Sequence, residues 1–200
     1  VKVRLFGRRP RSAAPQSRRV GGYHHNRLDG LCDLIPRAPG ASVLDIGCNR
    51  GLVAFELVSA GASLVHGCDN YELGIQTARE IFADCDVRSR FEVVDLTEGS
   101  AALERAFGQD YQPRYDIVLF LAVYHKLRRI MDRAELAGLV HHLATRTGRY
   151  FAYRNLPEEI PEMESILHGA GLRRIHYSEI SDALHPAGIW APAARPPAPA

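Results

Sequence analysis

Two hydrophobic periods alternate along this chain. Short apolar runs at residues 42–46, 64–68, 90–94, 115–123, 148–153 and 172–177 predict six strands, and a seventh near 187–191 lies between flanking prolines. Between the runs, apolar residues recur at helical spacing. Helices are predicted at about 52–59, at 72–83 with Ile75, Ala78, Ile81 and Phe82 inward, at 101–107 and at 158–168. Asp132-x-x-Glu135 has the form of a capping arrangement for a further helix that buries Leu136, Leu139, Val140 and Leu143. A short helix at 28–35 precedes the first strand and is stopped by Pro36, and Gly169 and Gly171 close the helix at 158–168.

Strands alternating with helices predict an α/β fold: a single-domain, doubly wound, mostly parallel seven-stranded sheet with helices on both faces. Such sheets bind ligands at the C-terminal ends of their strands, beside the topological switch point. Asp45, Asp69, Asp95 and the segment after Val123 all fall at predicted strand ends. One edge of the sheet is therefore the candidate site.

Composition narrows the class. Two hundred residues, 46% hydrophobic and 24% charged, are enough for one domain with a substantial core. The longest apolar run, 117–123, is far too short to span a bilayer, so no membrane partner is expected. The arginines near the N-terminus have no apolar segment behind them, which argues against an export signal. Cys32, Cys48, Cys68 and Cys85 form no Cys-x-x-Cys pair, so reduced thiols in a cytoplasmic protein are expected rather than zinc or a disulfide framework. His24-His25 and His141-His142 are adjacent pairs with no evident third ligand, and no metal is expected at either.

The net charge of +2 is unevenly spread. Lys2, Arg4, Arg8, Arg9, Arg11, Arg18 and Arg19 precede the first acid, Asp29, and without them the chain is acidic. The arm at 1–27, partly disordered, is expected to contact a polyanion or the protein's own acidic surface through residues 1–19, or to remain a solvated tail. Its last residues, 23–27, could fold over the site as a lid. Residues 191–200 are rich in Pro and Ala and are expected to be unstructured, leaving 28–190 as the domain.

The most informative stretch is Ser42-Val43-Leu44-Asp45-Ile46-Gly47-Cys48-Asn49-Arg50-Gly51. An apolar strand meets an acid, and two glycines four apart let the backbone turn tightly and approach a ligand. A dinucleotide site would carry Gly-x-Gly-x-x-Gly and would not set an acid against a pyrophosphate. On these residues the chain resembles the class I S-adenosylmethionine (SAM)-dependent methyltransferases, whose first motif is an apolar strand ending in Asp-x-Gly-x-(Gly/Asn)-x-Gly. Asn49 stands where many members have the middle glycine, a departure that tolerates a left-handed backbone.

The resemblance implies roles for further residues. Asp45 would orient the methionyl amine of SAM, while Gly47 and Gly51 admit the cofactor and Cys48 and Asn49 line the same loop. As an alternative, Asp45 caps the following helix. Asp69 would accept both ribose hydroxyls, a role that acids also fill in NAD folds. Asn70 would touch the adenine edge or simply form a turn. Asp95 would accept from the adenine amino group, with the Leu96 N–H on a ring nitrogen; its alternative is a helix cap. Tyr115-Asp116-Ile117-Val118, an apolar run and then Tyr124-His125 resemble a second family motif, with Leu121 on the cofactor and Tyr124 and His125 as catalytic residues beside the acceptor. His125 would act as a base or only align the acceptor, because SAM is already activated.

The resemblance spans about residues 28–177 and implies transfer of a methyl group from SAM, with S-adenosylhomocysteine as product. The acceptor is a small metabolite or an RNA, with the metabolite favoured. A catalytically silent SAM-binding or RNA-associated module is the main alternative, and an NAD-dependent oxidoreductase the lesser one.

Overall fold

The computed structural model describes residues 28–179 and 185–193. The basic arm, its lid-like end at 23–27 and the tail from 194 onward lie outside the described residues, as does the centre of the 178–186 connection.

Seven strands form one sheet: β1 (Ser42–Ile46), β2 (Leu64–Asp69), β3 (Arg88–Val93), β4 (Tyr115–Leu121), β5 (Thr147–Arg154), β6 (Leu172–Ser178) and β7 (Ala187–Pro192). Their spatial order is β3-β2-β1-β4-β5-β7-β6. The first five pair in parallel, and β7 runs antiparallel between β5 and β6. The strand sequence reverses direction between β1 and β4. That is the switch point, where the connections diverge and open a crevice at the strand ends.

Among the described residues six α-helices cover the sheet: α1 (Leu52–Ser59), α2 (Glu72–Ala83), α3 (Ser100–Phe107), α4 (Tyr124–Leu127), α5 (Arg133–Thr145) and α6 (Ile160–Gly169). Strand alternation sends Val43, Val65, Ile117 and Leu119 to one face, against Leu57 of α1 and Ile75, Ala78 and Phe82 of α2. Leu44, Ile46, Val118 and Phe120 face the other way, against Leu103 and Phe107 of α3, Leu139 and Leu143 of α5 and Met163 and Leu167 of α6. Both faces are thus sealed, which is why β4 reads as a continuous apolar run.

Several boundaries differ from the sequence reading. The segment expected as a helix at 28–35 is a turn followed by a 3-10 helix, Cys32–Arg37, with Pro36 inside it. Gly30 takes φ 75° and interrupts any longer helix, and the Leu31 and Leu34 amides bond three residues back, to Leu28 and Leu31. Leu28, Leu31 and Leu34 therefore share one face at a period of three. The fourth strand stops at Leu121 rather than 123, because Ala122 adopts φ 58°. A 3-10 turn, Pro157–Glu159, replaces the start of the helix expected at 158. Ala191 and Pro192, expected in the unstructured tail, complete β7, where Pro192 pairs with Leu172. The Asp132 cap is present: its carboxylate accepts from the Ala134 N–H at 2.7 Å.

One buried polar pair beneath the sheet has a measurable consequence. His66, 3% exposed, stacks on Phe107 with ring centroids 4.9 Å apart. The Tyr115 hydroxyl lies 2.7 Å from its Nδ1 and accepts from the Gln112 N–H, so it donates to the imidazole. Burial lowers the His66 pKa to about 4 from 6.5. The unfolded chain then binds the extra proton first, so this contribution to stability is complete above pH 6.5 and is lost as pH falls toward 4. Urea unfolding of the wild type should show stability declining from pH 6.5 to 5, and His66→Gln should flatten that decline. An identical slope in the variant would exclude His66 as its source.

Candidate active site

Four strand ends meet at the crevice. The loop after β1 is wound tightly: Gly47 has φ 74°, Asn49 φ 52° and Gly51 φ 68°. The Gly47 and Cys48 amides both donate to the Cys68 carbonyl at the end of β2, and the Gly51 amide donates to the Cys48 carbonyl. A Cβ at Gly47 would stand 2.3 Å from Val123 Cγ2, and one at Gly51 would press on Phe82, Ala78 and Phe91. Both glycines are therefore required by conformation and by contact. Asp45 lies directly below, 3% exposed, in register with Gly67 of β2 and Leu119 of β4. Its strand position places it on the α1–α2 face.

Asp69 straps the loop to the second strand. Its Oδ2 accepts the Asn49 N–H at 2.8 Å and its Oδ1 accepts the Tyr71 N–H at 2.9 Å. Each oxygen keeps a further lone pair, on a half-buried side chain facing the crevice rim. Asn70 is exposed beside it. So are two residues that pattern analysis did not single out, Tyr71 and Leu73, which are large, apolar and 41% and 61% exposed at the head of α2.

Asp95 follows β3 and caps a three-residue 3-10 turn, Leu96–Glu98, rather than the helix at 100–107, whose N-cap is Gly99. Its Oδ1 accepts from both the N–H and the hydroxyl of Thr97, and these bonds hold its pKa below the ordinary value. Oδ2 has no hydrogen bond among the described residues, so capping leaves one oxygen available. Leu96 next to it is buried in the core.

After β4 the chain turns sharply. Leu121 is the last strand residue, half-buried and in register with Arg154. The left-handed Ala122 is strained for a residue with a Cβ. It aims Val123 at Gly47 and starts α4 immediately, bringing the first and fourth loops into contact at the switch point.

Tyr124 and His125 part company here. Tyr124, expected beside the acceptor, is 1% exposed in the core, and its hydroxyl bonds to Glu162. Its role is to hold α4 against α6, together with the Arg128–Glu162 ion pair at 3.0 Å. His125 stays at the crevice. Burial first, and then the charges of Lys126 and Arg129 and the neighbouring His185, push its pKa below the usual imidazole value. It is therefore neutral at pH 7 and can accept a proton.

Burial pushes the thiols of Cys48 and Cys68 far up, so neither is a nucleophile. No cluster of metal-ligating side chains occurs among the described residues. His142 instead bonds Arg146 and Tyr111 on the outer face of α5. A surface cavity of about 380 Å³ lies behind β3, between Arg79, Phe82 and Glu92, away from the crevice. Its charges pair with one another, Arg79 and Arg90 with Glu92. No described helix is long and apolar enough to cross a membrane.

Comparison with known proteins agrees with this layout. No protein-family model matches the chain. The O-antigen chain terminator bifunctional methyltransferase/kinase WbdD of Escherichia coli is 30% identical over 126 residues, which cover 60% of this chain. The match spans only 17% of that relative's length. Among solved structures, magnesium protoporphyrin IX methyltransferase (ChlM) from Synechocystis PCC 6803, determined with bound SAM, superposes with a TM-score of 0.63 at 21% identity, covering 83% of this chain and 78% of its own. The N-methyltransferase NodS from Bradyrhizobium japonicum WM9 gives 0.62 at 14% identity, covering 84% and 95%. In strand order, in the placement of its glycine loop and in these superpositions, the chain has the fold of the class I SAM-dependent methyltransferases.

Proposed function

We propose that this chain transfers a methyl group from SAM to an acceptor held at the ends of β4 and β5, a small molecule rather than an RNA. The observation that carries the reading is the convergence of Asp45, Asp69 and Asp95 on one sheet edge around a left-handed Gly47–Gly51 loop. Three carboxylates suit a ligand bearing an ammonium, a sulfonium and ribose hydroxyls, and the one at the glycine loop, Asp45, opposes a pyrophosphate.

The residues present fit SAM. Asp69 would accept from the ribose hydroxyls through the lone pairs its two backbone bonds leave free. Asp45 would orient the amine, and Asp95 Oδ2 would accept from the adenine amino group with the Leu96 N–H beside it. Tyr71 and Leu73 offer apolar cover for a purine, next to Asn70. Arg50, exposed in the loop and without an ion pair among the described residues, is the cation available to a carboxylate. Cys48, Asn49 and Leu121 complete the lining. When bound, SAM supplies an activated methyl group on a sulfonium. The protein's own task is then to exclude water, align the acceptor and receive its proton, the last through neutral His125. The same chemistry would serve an RNA acceptor, but the basic arm that would favour one is outside the described residues.

His125→Ala should slow methyl transfer at least about 100-fold while leaving S-adenosylhomocysteine affinity unchanged, because a group acting on the acceptor changes turnover rather than cofactor binding. In the wild type the rate should fall as pH drops through the depressed His125 pKa, below 6.5. A pH profile identical in wild type and His125→Ala would leave this residue no part in the proton transfer.

A further inference from the structure

The ends of β4, β5 and β7 lie abreast, with Leu121 in register with Arg154 and Arg154 with Ala187. Just beyond that line the Ala122 N–H donates to the Arg154 carbonyl, and the Asn155 N–H donates to the Pro186 carbonyl at 3.2 Å. Asn155 thus ends the central of three strands. His125 follows the strand on one side of it and His185 precedes the strand on the other. Their rings meet edge to face, with centroids 6.3 Å apart and planes inclined by 69°.

The burial at this end of the sheet is unusual. Asn155 is 0% exposed, yet neither its Nδ2 nor its Oδ1 has a hydrogen-bond partner, and His125 Nδ1 is also buried without one. Buried carboxamides are almost always satisfied within a fold. A donor and an acceptor left open side by side, at the ligand-binding edge, mark a place where a ligand completes the bonding.

We propose that the methyl acceptor is a hydroxyl compound, its O–H received in a recess floored by the Asn155 carboxamide and roofed by the imidazoles of His125 and His185. This rests on the methyltransferase reading. A hydroxyl both donates and accepts, so it satisfies Oδ1 or Nδ1 and Nδ2 together, which an ammonium, having no acceptor, does not. Charge points the same way. The groups acting on His125 are Lys126 and Arg129 of α4 and His185 ahead of β7, and none of them is an acid. At the head of α6, Glu162 is paired with Arg128, and burial raises the Glu159 pKa above the usual carboxylate value. In the transfer, an oxygen lone pair forms the O–C bond and the C–S bond pair returns to the sulfur of SAM. The hydroxyl proton passes to His125 Nδ1, leaving a methyl ether and S-adenosylhomocysteine. Asn155 and His185 act as positioning residues.

The test is histidine-labelled NMR of the full chain, with S-adenosylhomocysteine bound, titrated with benzyl alcohol and with benzylamine. The His125 and His185 Cε1 resonances, assigned through His125→Gln and His185→Gln, should shift together and saturably with the alcohol. They should respond at least tenfold more weakly to the amine. Asn155→Leu, which replaces an unpartnered carboxamide by an apolar group of similar size, should keep or raise Tm and lose the alcohol response at least tenfold. If that variant fails to fold, Asn155→Ala gives the same comparison. Equal responses to both probes, no response to the alcohol, or wild-type binding in the Asn155 variant would overturn the recess. Failure of the wild type to bind S-adenosylhomocysteine would instead overturn the methyltransferase reading on which it rests.

Discussion

Gly47→Ala should lower the unfolding free energy by about 2–5 kcal/mol, the sum of a left-handed alanine and of overpacking against a core side chain. The new Cβ would sit 2.3 Å from Val123 Cγ2 on a backbone with φ 74°. Neither atom can yield easily. The Gly47 and Cys48 amides are anchored to the Cys68 carbonyl, and Val123 is fixed by the turn at Ala122 and the start of α4. The two costs can be separated in urea unfolding. Gly47→Ala combined with Val123→Ala should recover the steric part and leave the backbone part, so the double variant should be more stable than the sum of the singles predicts. A Gly47→Ala protein as stable as wild type would mean that the first and fourth loops do not meet at the switch point.

Asp69→Ala should weaken S-adenosylhomocysteine binding about 30- to 150-fold, corresponding to about 2–3 kcal/mol for hydrogen bonds to a charged acceptor. Two effects contribute. The variant loses the carboxylate available to the ribose, and it also frees the Asn49 and Tyr71 amides that now shape the rim. Thermal unfolding without ligand isolates the second effect, since a released strap destabilises the free protein and a missing ligand contact does not. Titration calorimetry that found unchanged affinity in Asp69→Ala would remove this residue from the cofactor site.

Much of this architecture was legible in the residues because local and long-range signals agree. The boundaries of α1 and α2 coincide with the predicted 52–59 and 72–83, where apolar spacing and flanking glycine or acid point the same way. Asn49 in a left-handed conformation answers the motif's middle glycine. Other features depend on contacts that periodicity does not carry. The segment 28–37 coils at three residues per turn because Gly30 breaks it and Pro36 withholds an amide. In the second motif, Tyr115 and Asp116 lie at the end of β4 far from the site. Tyr115 bonds His66 there, and Asp116 accepts both the N–H and the hydroxyl of Ser42. Tyr124 and His125 are neighbours in sequence, yet the single turn of α4 sends one into the core and the other to the crevice. His185 and Asn155 carried no signal, since each becomes informative only when β7 is inserted between β5 and β6.

The central claim is that the acid-lined crevice takes SAM, and titration calorimetry of the wild-type chain against SAM, S-adenosylhomocysteine and NAD tests it most directly. The account predicts saturable one-to-one binding of SAM and S-adenosylhomocysteine and none of NAD, whose pyrophosphate would face Asp45. Binding of NAD without binding of SAM would contradict it.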